Sequence, residues 1–358
     1  MATRQKIALL FGGRSGEHEV SIRSGESVAR GLSSRFDVLP VLIDHAGRWW
    51  LQPGPEVAAS GGAPVFMVPS PEDKGVLRRL DDASVAARPD VYFPVLHGTY
   101  GEDGTVQGLL ELAGVPFVGS GTAASAAAMD KVLMKALFAS ADLPQADYRV
   151  LLGRDRKDAA EIVAPLGLPV FVKPANLGSS VGVSKVKERN AFAKALDLAF
   201  AYDRKVVVEA AVPEAREIEI SILGNDDDAE ASLPGEIVPD REFYDYDSKY
   251  SSDSKTELKI PAPLSPEEIA RVRALGVDVF RAVDASGYAR VDFLMEKRTG
   301  RMVVNEINTI PGFTSISMFP KLWEATGLGY SDLLARLVEL GIARHRERAA
   351  LKTDYRGA

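Results

Sequence analysis

Between Val170 and Val186 the chain reads VFVKPANLGSSVGVSKV, and no other stretch restricts the fold as tightly. Val170, Phe171 and Val172 favour a strand, Lys173 and Pro174 follow it, and Gly178 and Gly182 let backbone N–H groups turn toward an anion. Ser179 and Ser180 add hydroxyl donors at the tip, and Val181, Val183 and Val186 resume a strand. The loop therefore joins strand to strand. A P-loop or a dinucleotide fingerprint would instead open a helix, and no GKS or GKT occurs anywhere in the chain. A glycine-serine hairpin alone is equally a plain surface turn. Lys173 favours a phosphate lid, because a merely structural strand gains nothing from a charge placed there.

Composition narrows the classes. A chain of 358 residues is long enough for two or three domains. Its formal net charge of −7 supplies no basic stripe for a phosphate backbone, so nucleic acid is not an expected partner. With no cysteine, disulfides, thiolate metal sites and a cysteine nucleophile are excluded. The N-terminal apolar run stops at Phe11, too short for a signal peptide or a membrane span. The expectation is a soluble cytoplasmic enzyme that handles small anionic molecules.

Along the chain, Lys6 to Phe11 reads as a buried strand followed by a glycine turn and a helix, a Rossmann-like unit without the GxGxxG spacing. Glu17 and His18 sit at the tip of that turn, facing a crevice, although an acid favouring the helix dipole is the plainer account of Glu17. Phe36 to Ile43 and Asp90 to Leu96 are further strands, with a surface loop expected from Pro53 to Pro64. His97 follows a strand's carboxyl end, where contact with ligand and a structural role are about equally expected. Residues 119–144 read as one alanine-rich helix ended by Pro144, with Lys131 inside it.

Lys205 to Ala211 is a buried strand carrying Glu209, a position suited to nucleotide hydroxyls. Arg216 to Leu223 alternates, putting Glu217 and Glu219 on one face. Residues 242–254 read as a long ordered loop and functional lid, and Ser265 to Val283 as a helix opened by a capping box. Tyr288 to Met295 places Arg290 and Asp292 on one strand face, and Met302 to Asn308 does the same for Glu306 and Asn308. If those strands pair, two carboxylates and an amide oxygen converge beside an arginine, an oxygen-only set that suits Mg²⁺ shared with substrate phosphates. Cross-strand salt bridges explain Arg290 with Asp292 but not Asn308. Thr309 to Ser317 is a further glycine and hydroxyl loop whose N–H groups suit a carboxylate or oxyanion.

Seven segments together resemble the D-alanine–D-alanine ligase family of the ATP-grasp superfamily: GGRSGEHEVS, LHGTYGEDGTVQG, MDKVLMK, VKPANLGSSVG, FYDYDSKYSSD, ARVDF and NEINTIPGFTS. The resemblance covers nearly the whole chain and implies an α/β fold, α+β overall, of ATP-grasp type. It implies an N-terminal Rossmann-like domain over 1–119, a central nucleotide-lid subdomain over 120–212, a C-terminal subdomain with the metal site over 213–345, and a tail. It implies that Lys131 and Lys173 bind ATP phosphates, that Ser179 and Ser180 close over them, and that Glu209 with the Ala210 to Val212 backbone and Glu217 hold the nucleoside. Asp292, Glu306 and Asn308 would hold two Mg²⁺, with Mn²⁺ as a substitute and a monovalent cation left open. Glu17 would take the ammonium of the first D-alanine, with Ser179 and Tyr250 bonded to it and His97 near its carboxylate. Lys249, Arg290 and the Gly312 backbone would stabilise the acyl phosphate and oxyanion, and Ser317 and Met318 would receive the second carboxylate. The implied activity is ATP-dependent formation of D-alanyl-D-alanine for peptidoglycan precursors, by a cytoplasmic homodimer without nucleic-acid or membrane partners.

Three rivals stand beside that reading. A D-alanine–D-serine or depsipeptide ligase should depart from the Lys249 and Tyr250 pair, a pseudoenzyme should have lost metal ligands, and a nicotinamide dehydrogenase should carry the glycine fingerprint. Two segments lie outside the family pattern: an insertion from Pro53 to Asp82 and the tail beyond Arg344.

Overall fold

The computed structural model describes residues 4–239, 256–314 and 316–352, and three sheets organise them. The first has seven strands in the spatial order Val85–Ala87, Leu77–Arg79, Ala63–Met67, Trp49–Leu51, Asp37–Ile43, Lys6–Gly12, Val91–Pro94. Lys6–Gly12 pairs in parallel with both of its neighbours, whereas the other pairs are antiparallel. This strand is apolar without alternation because both its faces are covered. Ile7, Leu9 and Phe11 enter one core, and Ala8 and Leu10 the other. The expected surface loop holds from Pro53 to Gly62, but Ala63 and Pro64 already belong to a strand.

The second sheet runs Ser184–Val186, Val170–Pro174, Lys205–Ala210, Tyr148–Leu152, all antiparallel. The third runs Glu257–Lys259, Gly235–Val238, Ala215–Gly224, Gly287–Glu296, Met302–Asn308, with Glu230–Ala231 beside Ala215–Gly224. Its apolar face, with Ile218, Ile220, Ile222, Val291 and Phe293, packs against the helix Pro266–Ala282. That helix opens with the expected capping box, Ser265 and Glu268 bonding each other's backbone N–H.

The alanine-rich segment is two helices rather than one: Thr122–Met129 and Lys131–Ser140. Asp130 breaks it by taking an extended conformation and accepting hydrogen bonds from Val132 N at 3.0 Å and Leu133 N at 3.3 Å. Lys131 is thereby the first residue of a new helix. The final helix, Tyr330–Ala349, lies against the first, His18–Leu32, and a Cβ at Gly31 would stand 2.5 Å from Leu334. Its Leu333, Leu334, Leu337 and Val338 share one core with Ile7, Leu9 and Phe11.

Candidate active site

The second and third sheets meet at Lys173. The Val170–Pro174 strand sets it opposite Val207, and its ammonium donates to Glu209 Oε2 at 2.6 Å and to Asn305 Oδ1 of the third sheet at 3.3 Å. Lys135 Nζ takes the other oxygen of Glu209 at 2.5 Å, both of those side chains being buried. Burial pushes the Glu209 carboxyl up, but Lys173 and Lys135 outweigh it and hold it at about 2. Glu209 lies where the sequence placed it, although its carboxylate faces two lysines. Ala210 is the last residue of its strand, with Val212 just beyond. Lys135 itself was missed, because on a helix only the packing of neighbours separates a buried lysine from a solvated one.

Lys131 Nζ donates to Leu177 O at 2.7 Å, binding the helix start to the base of the glycine-serine loop. At the loop tip, Ser179 and Ser180 adopt positive φ, 49° and 60°, a conformation costly for residues with a Cβ. Ser179 Oγ donates to Glu17, which joins the second sheet to the first. Glu17 occupies the N-cap of His18–Leu32 but makes no capping bond; its carboxylate is turned to the lid. A Cβ at Gly98, where φ is +76°, would stand 2.7 Å from Glu17 Oε2, so only glycine leaves that carboxylate its place.

Both ring nitrogens of His97 are engaged. Its Nδ1 lies 2.9 Å from the Ile310 carbonyl, which only accepts, so Nδ1 carries the proton and Nε2 accepts from Ser24 Oγ at 2.9 Å. Burial lowers its pKa, opposed by the charge of Glu17, and the ring is a neutral strut between the first sheet and the loop after the third. Glu102, which sequence reasoning passed over, is buried nearby and accepts from Gly98 N at 2.8 Å. Burial raises its carboxyl well above the usual range and Glu17 adds to that.

On the third sheet the expected pairing holds: Asp292 is directly opposite Glu306, and Arg290 opposite Asn308. Arg290 donates to both oxygens of Asp292 at 2.7 Å and lies 3.1 Å from Glu219 on the adjoining strand. Glu219 was legible only as half of an alternating pair with Glu217, which faces the same way two residues earlier. The donor set of two carboxylates and one amide oxygen suits a hard divalent cation, since each Asp292 oxygen keeps a lone pair beyond its bond to Arg290. Asn308 Oδ1 also accepts from Ile310 N at 3.1 Å, which fixes the amide's orientation.

Beyond that strand, Gly312 and Ser317 close on each other, a Cβ at Gly312 meeting Ser317 Oγ at 2.7 Å. Ser317 Oγ takes the Thr314 N–H at 3.0 Å rather than capping the helix Met318–Thr326, so the first N–H groups of that helix have no side-chain cap. The Met318 side chain is buried with Ile237 and Leu322, leaving its backbone at the helix start. Lys249, Tyr250 and the lid expected over 242–254 lie outside the described residues.

A glycine-serine hairpin meeting a lysine, an oxygen-only acidic pair and a Rossmann-like first domain defines an ATP-grasp ligase. The family models described as the N-terminus and C-terminus of D-ala D-ala ligase match residues 6–120 and 137–339. A D-alanine–D-alanine ligase of Heliobacterium modesticaldum is 50% identical, covering 98% of each chain. The solved D-alanine-D-alanine ligase of Coxiella burnetii superposes with a TM-score of 0.86 at 36% identity, covering 97% of both chains. The VanG D-Ala:D-Ser ligase of Enterococcus faecalis superposes at 0.85 with 33% identity, covering 95% of this chain and all of that one. The chain belongs to the D-alanine–D-alanine ligase family.

Proposed function

We propose that the chain condenses two D-alanine molecules into D-alanyl-D-alanine at the expense of ATP, supplying peptidoglycan precursor synthesis, with the residues described above in the following roles. The contact of Ser179 with Glu17 carries the reading, because it brings the tip of a phosphate-binding loop onto the acid that receives an ammonium. Glu17 pairs with the ammonium of the first D-alanine, and His97 holds the turn beside it. Lys131, Lys173, Ser179 and Ser180 bind the triphosphate, while Glu209, the backbone from Ala210 to Val212 and Glu217 hold the nucleoside.

A carboxylate is a poor electrophile, so the first alanine's carboxylate oxygen attacks the γ-phosphorus. An O–P bond forms, the bond to the β-phosphate oxygen breaks, and ADP leaves. The amine of the second alanine then attacks the acyl phosphate carbon. A C–N bond forms, the C–O bond to phosphate breaks, and phosphate departs with the electron pair and takes up the proton that the attacking amine loses. Arg290, Lys249 and the Gly312 N–H neutralise the charge that builds on the oxygens, and the uncapped start of Met318–Thr326 receives the second carboxylate at Ser317 and Met318. Asp292, Glu306 and Asn308 would hold two Mg²⁺, which supply charge neutralisation on the phosphates when bound. Tyr250, which lies outside the described residues, would bond Glu17 and Ser179. No covalent enzyme nucleophile is needed, in keeping with a chain that lacks cysteine.

The test is to supply ATP and Mg²⁺ with D-alanine alone, then with D-serine or D-lactate added, and to identify the products while measuring phosphate. D-alanyl-D-alanine as the main product is expected. Faster turnover to the mixed dipeptide or the ester would overturn the choice of second substrate.

A further inference from the structure

Two of the four histidines meet at a place the ligation chemistry does not use. His18 is the first residue of His18–Leu32, and His45 lies in the turn after Asp37–Ile43. Those two positions adjoin the carboxyl ends of neighbouring parallel strands, where Gly12 is the register partner of Ile43. Their rings stack with centroids 3.8 Å apart and planes inclined by 25°. Glu19 joins them, and one ligand atom from each of the three residues lies within 4.8 Å of the others. His18 is buried, whereas Glu19 and His45 are exposed.

The buried ring is already prepared as a ligand. Its Nδ1 is 2.7 Å from the Gly13 carbonyl, which accepts and does not donate, so the proton resides on Nδ1 and the Nε2 lone pair is available. A backbone carbonyl that fixes the tautomer in this way is the usual support of a metal-binding imidazole. The turn that carries His45 is equally fixed. Asp44 accepts from Ala46 N and Arg48 N at 2.9 Å, from Arg48 Nε at 2.8 Å and from Trp50 Nε1 at 3.0 Å, so only the side-chain torsions of His45 remain to be set.

We propose that His18, Glu19 and His45 form a binding site for a borderline divalent cation of the Zn²⁺ class, separate from the oxygen-only set at Asp292, Glu306 and Asn308. Two nitrogens and one carboxylate match Zn²⁺ and mismatch Mg²⁺, which prefers oxygen throughout. Coordination at about 2.0–2.1 Å requires the exposed His45 and Glu19 to swing inward while His18 stays in place, leaving a fourth position for water. An ion held there ties the Asp44 turn to the start of the first helix, one residue after Glu17.

The experiment titrates the whole protein with Zn²⁺ in excess Mg²⁺, following bound metal by equilibrium dialysis and thermal stability by calorimetry, with Co²⁺ as a spectroscopic probe. Because His45 and Glu19 are exposed, His45→Ala and Glu19→Gln should fold normally, which circular dichroism checks. One equivalent of Zn²⁺ on the parent protein, weakened about tenfold or more in each variant, with loss of the Co²⁺ d–d absorption in His45→Ala, supports the site. His345→Ala, remote on the last helix, should bind as the parent does. Equal Zn²⁺ affinity in the parent protein and His45→Ala, or an equal loss in His345→Ala, overturns it.

Discussion

At the scale of single residues the site depends on what a few side chains are prevented from doing. Gly98 carries no Cβ, and one placed there would press on Glu17 Oε2. Gly98→Ala is therefore expected to raise KM for the first D-alanine by about tenfold or more and to lower Tm, since a positive φ is also strained for alanine. Steady-state kinetics on D-alanine at saturating ATP, with a thermal melt, checks both; an unchanged KM would remove Glu17 from the ammonium site. Glu306→Gln keeps shape and hydrogen-bonding capacity but removes a charge opposite Asp292. Phosphate release should fall by about 10²-fold or more, corresponding to several kcal/mol of charge stabilisation, while the far-ultraviolet spectrum and Tm stay near those of the parent. Activity within a few-fold of the parent would mean that the oxygen-only set holds no metal. Asp292 and Glu306 were legible in the sequence because alternation along their strands fixes which way each faces, Lys173 because a charge ends an apolar strand, and Glu17 because it stands at the glycine turn after one. Glu102 was not, because its burial is set by the contacts of the Gly98 turn and not by any periodicity.

At the scale of elements, the Lys131–Ser140 helix supplies a buried cation to the second sheet. Lys135→Met should destabilise the fold by about 3 kcal/mol, the lower end of the range for breaking a buried pair because Lys173 remains as a partner. Its pH signature has a definite sign. Glu209 is held at about 2 against an ordinary 4.5, so its contribution is full above 4.5 and is lost as pH falls from there through about 2. With Lys135 gone the carboxyl titrates higher and acid unfolding begins at higher pH, which denaturant melts between pH 2 and 6 would detect. An acid transition unmoved by the substitution would mean that Lys135 does not set the charge of Glu209. The break at Asp130 carries more than a cap: Asp130→Ala should cost about 3 kcal/mol or more, because it removes the N-cap and also takes away the carboxylate paired with the largely buried Lys205, read from urea midpoints. The sequence read this region as one helix because alanine propensity outweighs a single aspartate in any window, whereas the cap depends on two particular N–H groups. The pairing of the third sheet was legible because Asp292 faces Glu306 only in the one register that also sets Arg290 opposite Asn308.

Across the whole molecule, one core is assembled from distant segments. Leu333, Leu334, Leu337 and Val338 of the last helix, with Phe313, Phe319 and Trp323, pack among Ile7, Leu9, Phe11 and Val28. Leu334→Ala should cost about 3 kcal/mol and should speed amide hydrogen exchange within His18–Leu32 as well as in its own helix. Exchange confined to the last helix would show that the two ends are not one cooperative unit. No local pattern announced this contact, since an amphipathic helix does not state which apolar surface it will cover. It also orders events during synthesis. A ribosome adding about 5–20 residues per second exposes the first parallel strands well before their last covering helix exists, and the face bearing Ile7, Leu9 and Phe11 meanwhile stays open to water. Nascent chains stalled before that helix should accordingly be gripped by chaperones that hold apolar surface, and let go once translation passes it.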